Sequence, residues 1–371
     1  MKIVIFSVIF LTVFTLLKLY IIKRFINKLD IKNSYKKYIK YFLYFNYIGV
    51  IGYIYTRYNP DVPNTLFFLL SLPIGILFLT FCVAILYDIK HTLLKKAPIS
   101  QNRREVLKKS LDYIALAGAI GITGRAIYEA KTIELEKVDI KLKNLKKSYS
   151  IVQLSDVHIG GIIDKEFIKK MVERVNNLNP DIVVITGDLV DISLKYAMPA
   201  LNELKNLNTQ YGTYFIIGNH EYHHGLEDII KTINSLGIKT LENENLYIGE
   251  KNNGFNLLGV YDYFGYRLNH YKPDLNKALD GIDKNSPSIL LAHQPIFIKE
   301  VKSDIDLVLS GHTHGGQLYP FRALVKIVQP YIAGLYQHNK NTQIYVNKGT
   351  GFWGPPMRLG ASSEITYITI S

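Results

Sequence analysis

Cysteine is almost absent from this 371-residue chain, with Cys82 standing alone. One thiol excludes a disulfide framework and a thiolate metal cluster. Cys82 lies in an apolar run and reads there as a small buried hydrophobe. Acidic residues are scarce in one region only. Residues 1–149 carry 24 Lys+Arg against 9 Asp+Glu, whereas residues 150–371 carry 20 against 22. The net charge of +13 is thus a front part at +15 and a remainder at −2. A nucleic-acid-binding module would carry its cations on the polar folded part, so no nucleic-acid partner is expected. Internal repeats and low-complexity tracts are also missing.

What the front part has is long apolar runs, and residues 1–130 are expected to form a membrane anchor of about four transmembrane helices. The runs are Ile3 to Ile22, about Tyr38 to Tyr55, Leu66 to Tyr87, and the Ala/Gly-rich Leu111 to Tyr128. A bilayer core takes about 20 apolar residues per helix, which the first and third runs meet. The second is diluted by tyrosines, and the fourth is short enough to be a core helix instead. Pro73 inside the third run is tolerated in membranes. A cleavable signal peptide fits poorly, because only Lys2 precedes a run that is too long. Ionisable groups inside the first and third runs stop at Lys18, which fits an anchor better than a transporter.

Basic loops assign an orientation. Residues 23–40 hold seven Lys/Arg, residues 88–110 hold seven more, and the loop between the second and third runs holds Arg57 alone. By the positive-inside rule both basic loops are cytoplasmic. With four spans, the polar remainder faces the periplasm or exterior of the inner membrane; if the fourth run does not span, it stays inside. Arg103-Arg104 before the fourth run resembles a twin-arginine export signal placed internally.

After a polar linker over 131–148, residues 149–371 alternate β-branched runs with amphipathic helices. "SYSIVQL" precedes a helical spacing at Phe167, Ile168, Met171, Val175 and Leu178; "PDIVVITGD" and "GTYFIIGNH" follow. The pattern is that of a layered α/β domain with mixed sheets. Each strand ends on polar residues: Asp156-Val-His158, Gly187-Asp188, Asn219-His220-Glu221, His293 and His312-Thr-His314. Loops at the carboxyl ends of strands converge, so these groups form one site. In an extended backbone, residues two apart point the same way, which would pair Asp156 with His158 and His312 with His314. Carboxylates, imidazoles and one amide suit Mn, Fe, Zn, Co or Mg. Seven donors exceed one ion's need and suit two divalent ions that share a carboxylate, activate water and polarise a phosphoryl oxygen.

In this order "DVH", "GDLVD", "GNHE", "AHQP" and "GHTHGG" resemble the calcineurin-like metallophosphoesterases, over roughly residues 150–371. The apolar front and the ending "GTGFWGPPMRLGASSEITYITI" are similar to membrane-anchored bacterial members. The resemblance implies two packed mixed β-sheets flanked by helices, with a dinuclear centre at one edge. It assigns Asp156, His158 and His314 to one ion, Asn219, His293 and His312 to the other, and Asp188 to the bridge. His220 would contact phosphate and protonate the leaving oxygen. Tyr222, Phe352, Trp353 and Arg358 are candidate substrate contacts. Glu221, His223 and His224 read as solvated loop residues.

The expected function is a membrane-anchored phosphodiesterase or pyrophosphatase acting on a phosphorylated, lipid-linked or envelope substrate. UDP-2,3-diacylglucosamine is one such substrate, although the derived orientation suits an extracytoplasmic one better. A phosphomonoesterase and a catalytically silent scaffold are the alternatives.

Overall fold

The computed structural model describes residues 2–59, 61–302 and 305–371. The chain divides into two units: Met1–Glu129 with Gly354–Leu359, and Ala130–Trp353 with Gly360–Ser371.

The first unit is helical, with α1 (Lys2–Tyr20), α2 (Asn33–Arg57), α3 (Asn64–Lys96) and α4 (Gln101–Ala130). Two stretches, Val4–Lys28 and Asn64–Lys96, are long and apolar enough to cross a membrane. The other two expected spans are helices that fall short of this. Tyrosines and Asn46 dilute α2, and charges from Arg103 to Asp112 load the first turns of α4. Phe14, Ile21, Val50, Leu77 and Tyr87 build the unit's core. Helices α2 and α3 approach closely at Gly49, where a Cβ would lie 2.6 Å from Pro73 Cγ. Small residues permit such contact between apolar helices.

Buried charges in this unit are matched. Asp88 accepts from Arg24 Nε at 2.8 Å and Lys28 Nζ at 2.5 Å. Asp112 accepts from Tyr87 Oη, Lys108 Nζ and the Asp30 amide, each at 2.7 Å. Lys18 sits 3.8 Å over the Tyr47 ring.

The second unit is a sandwich of two six-stranded mixed sheets. The first has the order β1-β12-β2-β3-β4-β5, and the second β10-β11-β9-β8-β7-β6. The strands are β1 (Ile133–Ile140), β2 (Tyr149–Leu154), β3 (Ile182–Thr186), β4 (Thr213–Ile216), β5 (Lys239–Thr240), β6 (Glu244–Ile248), β7 (Phe255–Gly259), β8 (Ser288–Leu291), β9 (Leu307–Ser310), β10 (Gly334–Gln337), β11 (Gln343–Val346) and β12 (Ser363–Ile370). Side chains alternate between layers. Ile151, Val184, Ile216, Leu257, Ile289 and Leu309 fill the space between the sheets. Val152, Val183, Ile185 and Phe215 face outward against α5 (Lys165–Asn176), α6 (Leu194–Leu201) and α7 (Leu226–Ser235). Burial on both faces explains why β3 reads as a continuous apolar run.

Helix α5 shows the local logic. Asp164 caps it by accepting from the Phe167 amide at 3.1 Å. Ile168, Met171, Val172 and Val175 then form the buried stripe. Three short helices complete the unit: α8 (Gly265–Leu268), α9 (Leu275–Leu279) and α10 (Arg322–Val328).

The expected linker over 131–148 contains a strand of eight residues, Ile133–Ile140. β1 pairs in parallel with β12 from Ile133↔Ser363 to Ile140↔Ile370. Its apolar alternation changes face midway, so no single period stands out. Ile133 and Leu135 pack with the helix-side core, whereas Val138 and Ile140 pack between the sheets. Intervening Glu134, Glu136, Lys137 and Asp139 make it look like a polar tether.

Candidate metal centre

Strands β2, β3 and β4 are parallel neighbours in one sheet, and β8 and β9 in the other. Their carboxyl ends therefore open on one edge of the sandwich, and all the expected donors lie on the loops that follow. The first two loops are laced together: the Asp156 amide donates to Gly187 O, the His158 amide to Asp188 O, and the Ile159 amide to Leu189 O, at 2.8–3.0 Å.

The side chains fall into adjoining groups. Donor atoms of Asp156, His158 and His314 lie within 4.8 Å of one another, as do those of Asp188, His293 and His312. In the first group His158 Nε2 and His314 Nε2 stand 3.0 Å apart, with Asp156 Oδ1 3.5 Å from His314 Nε2. In the second, His293 Nε2 lies 3.2 Å from both Asp188 Oδ2 and Asn219 Oδ1. The alternation expected of Asp156-x-His158 and His312-x-His314 is not how these residues converge. Asp156, His158, Asp188, His312 and His314 all hold left-handed backbones, with φ between 49° and 69°. Asp and His tolerate this region better than most residues, and strain of this kind gathers at functional sites.

The donors fit a divalent cation. Asp156 is wholly buried; its Oδ2 accepts from Ser155 Oγ at 2.6 Å and from the His312 amide at 2.8 Å. Its Oδ1 has no hydrogen-bond partner and faces His314. A carboxylate oxygen left open in the interior is costly unless something cationic meets it. His293 Nδ1 bonds to Thr186 O at 2.7 Å, which turns Nε2 toward Asp188 and Asn219. Such an outer partner orients a metal-binding imidazole. Burial first, then cationic neighbours (His220 for His158, His293 for His312), push both imidazoles down to about 3. They are thereby neutral, as a ligand must be. Burial also works against charge on His293, but Asp188 raises it well above its ordinary value, so that imidazole must shed a proton to bind metal. Burial alone would raise Asp188, yet His293 and His220 hold its carboxyl well below the usual range.

His220 lies beside both groups. Its Nδ1 bonds to Asp191 Oδ1 at 2.6 Å, and its Nε2 is 3.9 Å from Asp188 Oδ2. Burial works against its charge, but Asp188 and Asp191 raise it to about 9. A proton therefore resides on this imidazole at neutral pH.

Two glycines are needed for these approaches. A Cβ on Gly311 would lie 1.9 Å from Ser155 Oγ and 2.3 Å from Asp156 Oδ2. One on Gly218 would lie 2.3 Å from Asp188 N and Oδ1.

Comparison with known proteins agrees with this geometry. Residues 149–316 match the calcineurin-like phosphoesterase family. A protein of Helicobacter pylori strain 26695, named an uncharacterized metallophosphoesterase, is 39% identical over 317 residues, 84% of each chain. The chain belongs to the calcineurin-like phosphoesterases. It is thereby a phosphoester hydrolase, and its clustered donors suit divalent metals. A Campylobacter jejuni metallophosphoesterase is 33% identical over 99% of this chain and 98% of its own. A Bos taurus "transmembrane protein with metallophosphoesterase domain" is 39% identical over 60% of this chain and 53% of its own length.

Two residues of this calcineurin-like site escaped the sequence reading. Glu221 is no solvated loop residue but is wholly buried. Its carboxylate accepts from the amides of Asp188, Leu189, Val190 and Gly218 at 2.7–3.0 Å, tying the second loop to the third. Asp191 holds His220 and approaches His224 Nε2 at 3.6 Å and His158 Nδ1 at 3.9 Å. Its signal was present as the last residue of "GDLVD", three after Asp188.

Of the candidate substrate contacts, Trp353 stands edge-on to His220 with ring centres 6.0 Å apart and is part-exposed. Phe352 packs on the helix-side core. The Tyr222 hydroxyl donates to Tyr271 O at 2.6 Å and its ring meets Phe264, so it is committed to packing. Arg358 falls in Gly354–Leu359, which groups with the helical unit; it is wholly buried and its amide donates to Ala126 O. A wholly buried guanidinium is not open to a ligand. His223 is exposed against Phe264, as a loop residue should be.

Proposed function

We propose that this chain is a membrane-anchored phosphodiesterase or pyrophosphatase that works with two divalent ions on a lipid-linked or envelope substrate. The observation that carries the reading is the pair of adjoining donor groups, Asp156/His158/His314 and Asp188/Asn219/His293/His312, with a buried carboxylate oxygen left open between loops. Asp188, 3.2 Å from His293 and 3.9 Å from His220, would be the carboxylate shared by the two ions. Two bound cations would supply Lewis acidity at the phosphoryl group and an activated water.

The chain's own residues do the rest. His220 carries the proton that the leaving oxygen needs, and Asp191 fixes the tautomer by holding Nδ1. Glu221 keeps the Asp188 and Gly218 loops in register. Trp353 offers an apolar wall beside His220 for the group attached to the phosphate. Every position that the fold needs for metal carries a competent donor, which argues against a silent scaffold. The basic loops flanking the apolar helices favour a multi-pass inner-membrane protein, with the catalytic unit outside the cytoplasm if α2 and α4 both cross alongside the two membrane-length helices, and inside it if α4 does not.

The test is turnover by the purified full chain, supplied with Mn, on matched phosphomonoesters, phosphodiesters and UDP-2,3-diacylglucosamine. The reading expects diester or pyrophosphate cleavage. Turnover of monoesters alone would overturn it, and turnover of none would restore the scaffold.

A further inference from the structure

Helix α10 wears its amphipathicity the wrong way out. Its inward stripe is Arg322, half-buried Val325 and then Gln329, which is 3% exposed just past its end. Gln329 accepts from the Ile296 amide at 2.9 Å, so a polar side chain anchors this face. The outward face carries Phe321, Leu324, Ile327 and Val328, and none of the seven helix residues is buried. Ile327, at 79%, is the most exposed large apolar side chain among the described residues, above any on the membrane-length helices. Tyr319 and Leu335, near α10 in the sequence, are exposed as well. Among the described residues of the sandwich unit, six of the nine exposed large apolar side chains fall between 319 and 335. A contiguous apolar surface of this kind marks a contact with something apolar.

The surroundings say what that is. No Asp or Glu occurs from Leu307 to Ser363, whereas Arg322, Lys326, Lys340 and Lys348 do. A second copy laid face to face on this patch would set cations against cations, because a two-fold contact repeats the same surface. An anionic lipid surface meets both features, taking the apolar side chains below the headgroups and the cations among phosphates. The same chain carries two helices long and apolar enough to hold it at a bilayer.

We propose that α10, with Tyr319 and Leu335, dips into the interfacial layer of an anionic bilayer and holds the metal edge at the lipid surface. The coupling is short. His314 and Gly316 precede α10 by a few residues, and a Cβ on Gly316 would lie 2.5 Å from Arg322 Cα, so helix and turn are packed backbone to backbone. The inference rests on the proposed lipid-linked substrate only for its purpose; the docking itself is independent of it.

The test uses the full chain carrying Cys82→Ser in phosphatidylglycerol/phosphatidylcholine proteoliposomes. A fluorophore is placed at Ile327→Cys, and in a second preparation at Lys251→Cys, in an exposed turn. Brominated acyl chains should quench the label at 327 and spare the one at 251. Leu324→Glu with Ile327→Glu should lower turnover of a vesicle-borne phosphodiester about tenfold and leave a soluble diester within about twofold. An unquenched label at 327 would overturn the proposal, and energy transfer between labels at 327 on different copies would replace it with self-association. Quenching at 327 in a parent protein that cleaves soluble but never lipid-borne diesters would keep the docking and sink the substrate reading instead.

Discussion

Two buried carboxylates, one in each unit, show how differently the interior can treat the same group. Asp112 of the helical unit is 1% exposed and has both oxygens engaged, by Tyr87, Lys108 and the Asp30 amide. Asp156 of the sandwich unit is equally buried, yet only Oδ2 is engaged and Oδ1 waits beside two imidazole nitrogens. The first is a tie, complete in itself. The second is a fragment of a coordination shell. Burial is the same in both; what separates structure from chemistry is whether the donor atoms are already spoken for.

That contrast can be broken by substitution. The largest effect is expected at the carboxylate between the two donor groups. Asp188→Asn should empty the centre and lower turnover by more than about a hundredfold, beyond the loss typical of outer partners. Metal analysis alongside diester hydrolysis checks both, and full metal content would refute the bridging role. His220→Ala should keep its metal and lose about 10²–10⁴-fold in turnover, the usual contribution of a positioned acid. Loss of metal in that variant would move His220 among the ligands.

Partners that hold rather than react come next. Glu221→Gln removes half of an acceptor set serving four amides, and metal affinity should drop about 10–100-fold. Titration with Mn against the parent measures it; an unchanged affinity would leave Glu221 without influence on the site. The smallest effect on activity is expected at the tie. Asp112→Asn should destabilise the helical unit by about 1–3 kcal/mol, because Lys108 keeps a weakened partner, while turnover per bound metal stays the same. A thermal melt with parallel activity assays separates the two, and a fall in turnover per metal would show that the tie reaches the chemistry.

How much of this could be read from residues alone follows the same line. The strand ends were legible because each donor sits directly after a β-branched run, and the order of the five motifs is specific. Their convergence was legible; its means was not, since left-handed φ at Asp156, His158, Asp188, His312 and His314 leaves no periodic trace. Glu221 looked solvated because a carboxylate that accepts from four amides is written in the chain like any surface glutamate. β1 was hidden by its change of face, and the outward apolar side of α10 by the ordinary assumption that apolar residues point in. The apolar front was plain, although only two of its four runs reach membrane length and apolarity as helices.

The central claim is that two donor groups share Asp188 and hold one ion each. Metal stoichiometry, measured on the purified parent and on Asp188→Asn after loading with Mn and desalting, tests it most directly. Two ions per chain are predicted in the parent and fewer than one in the variant. One ion in the parent, or two in both proteins, would contradict the account.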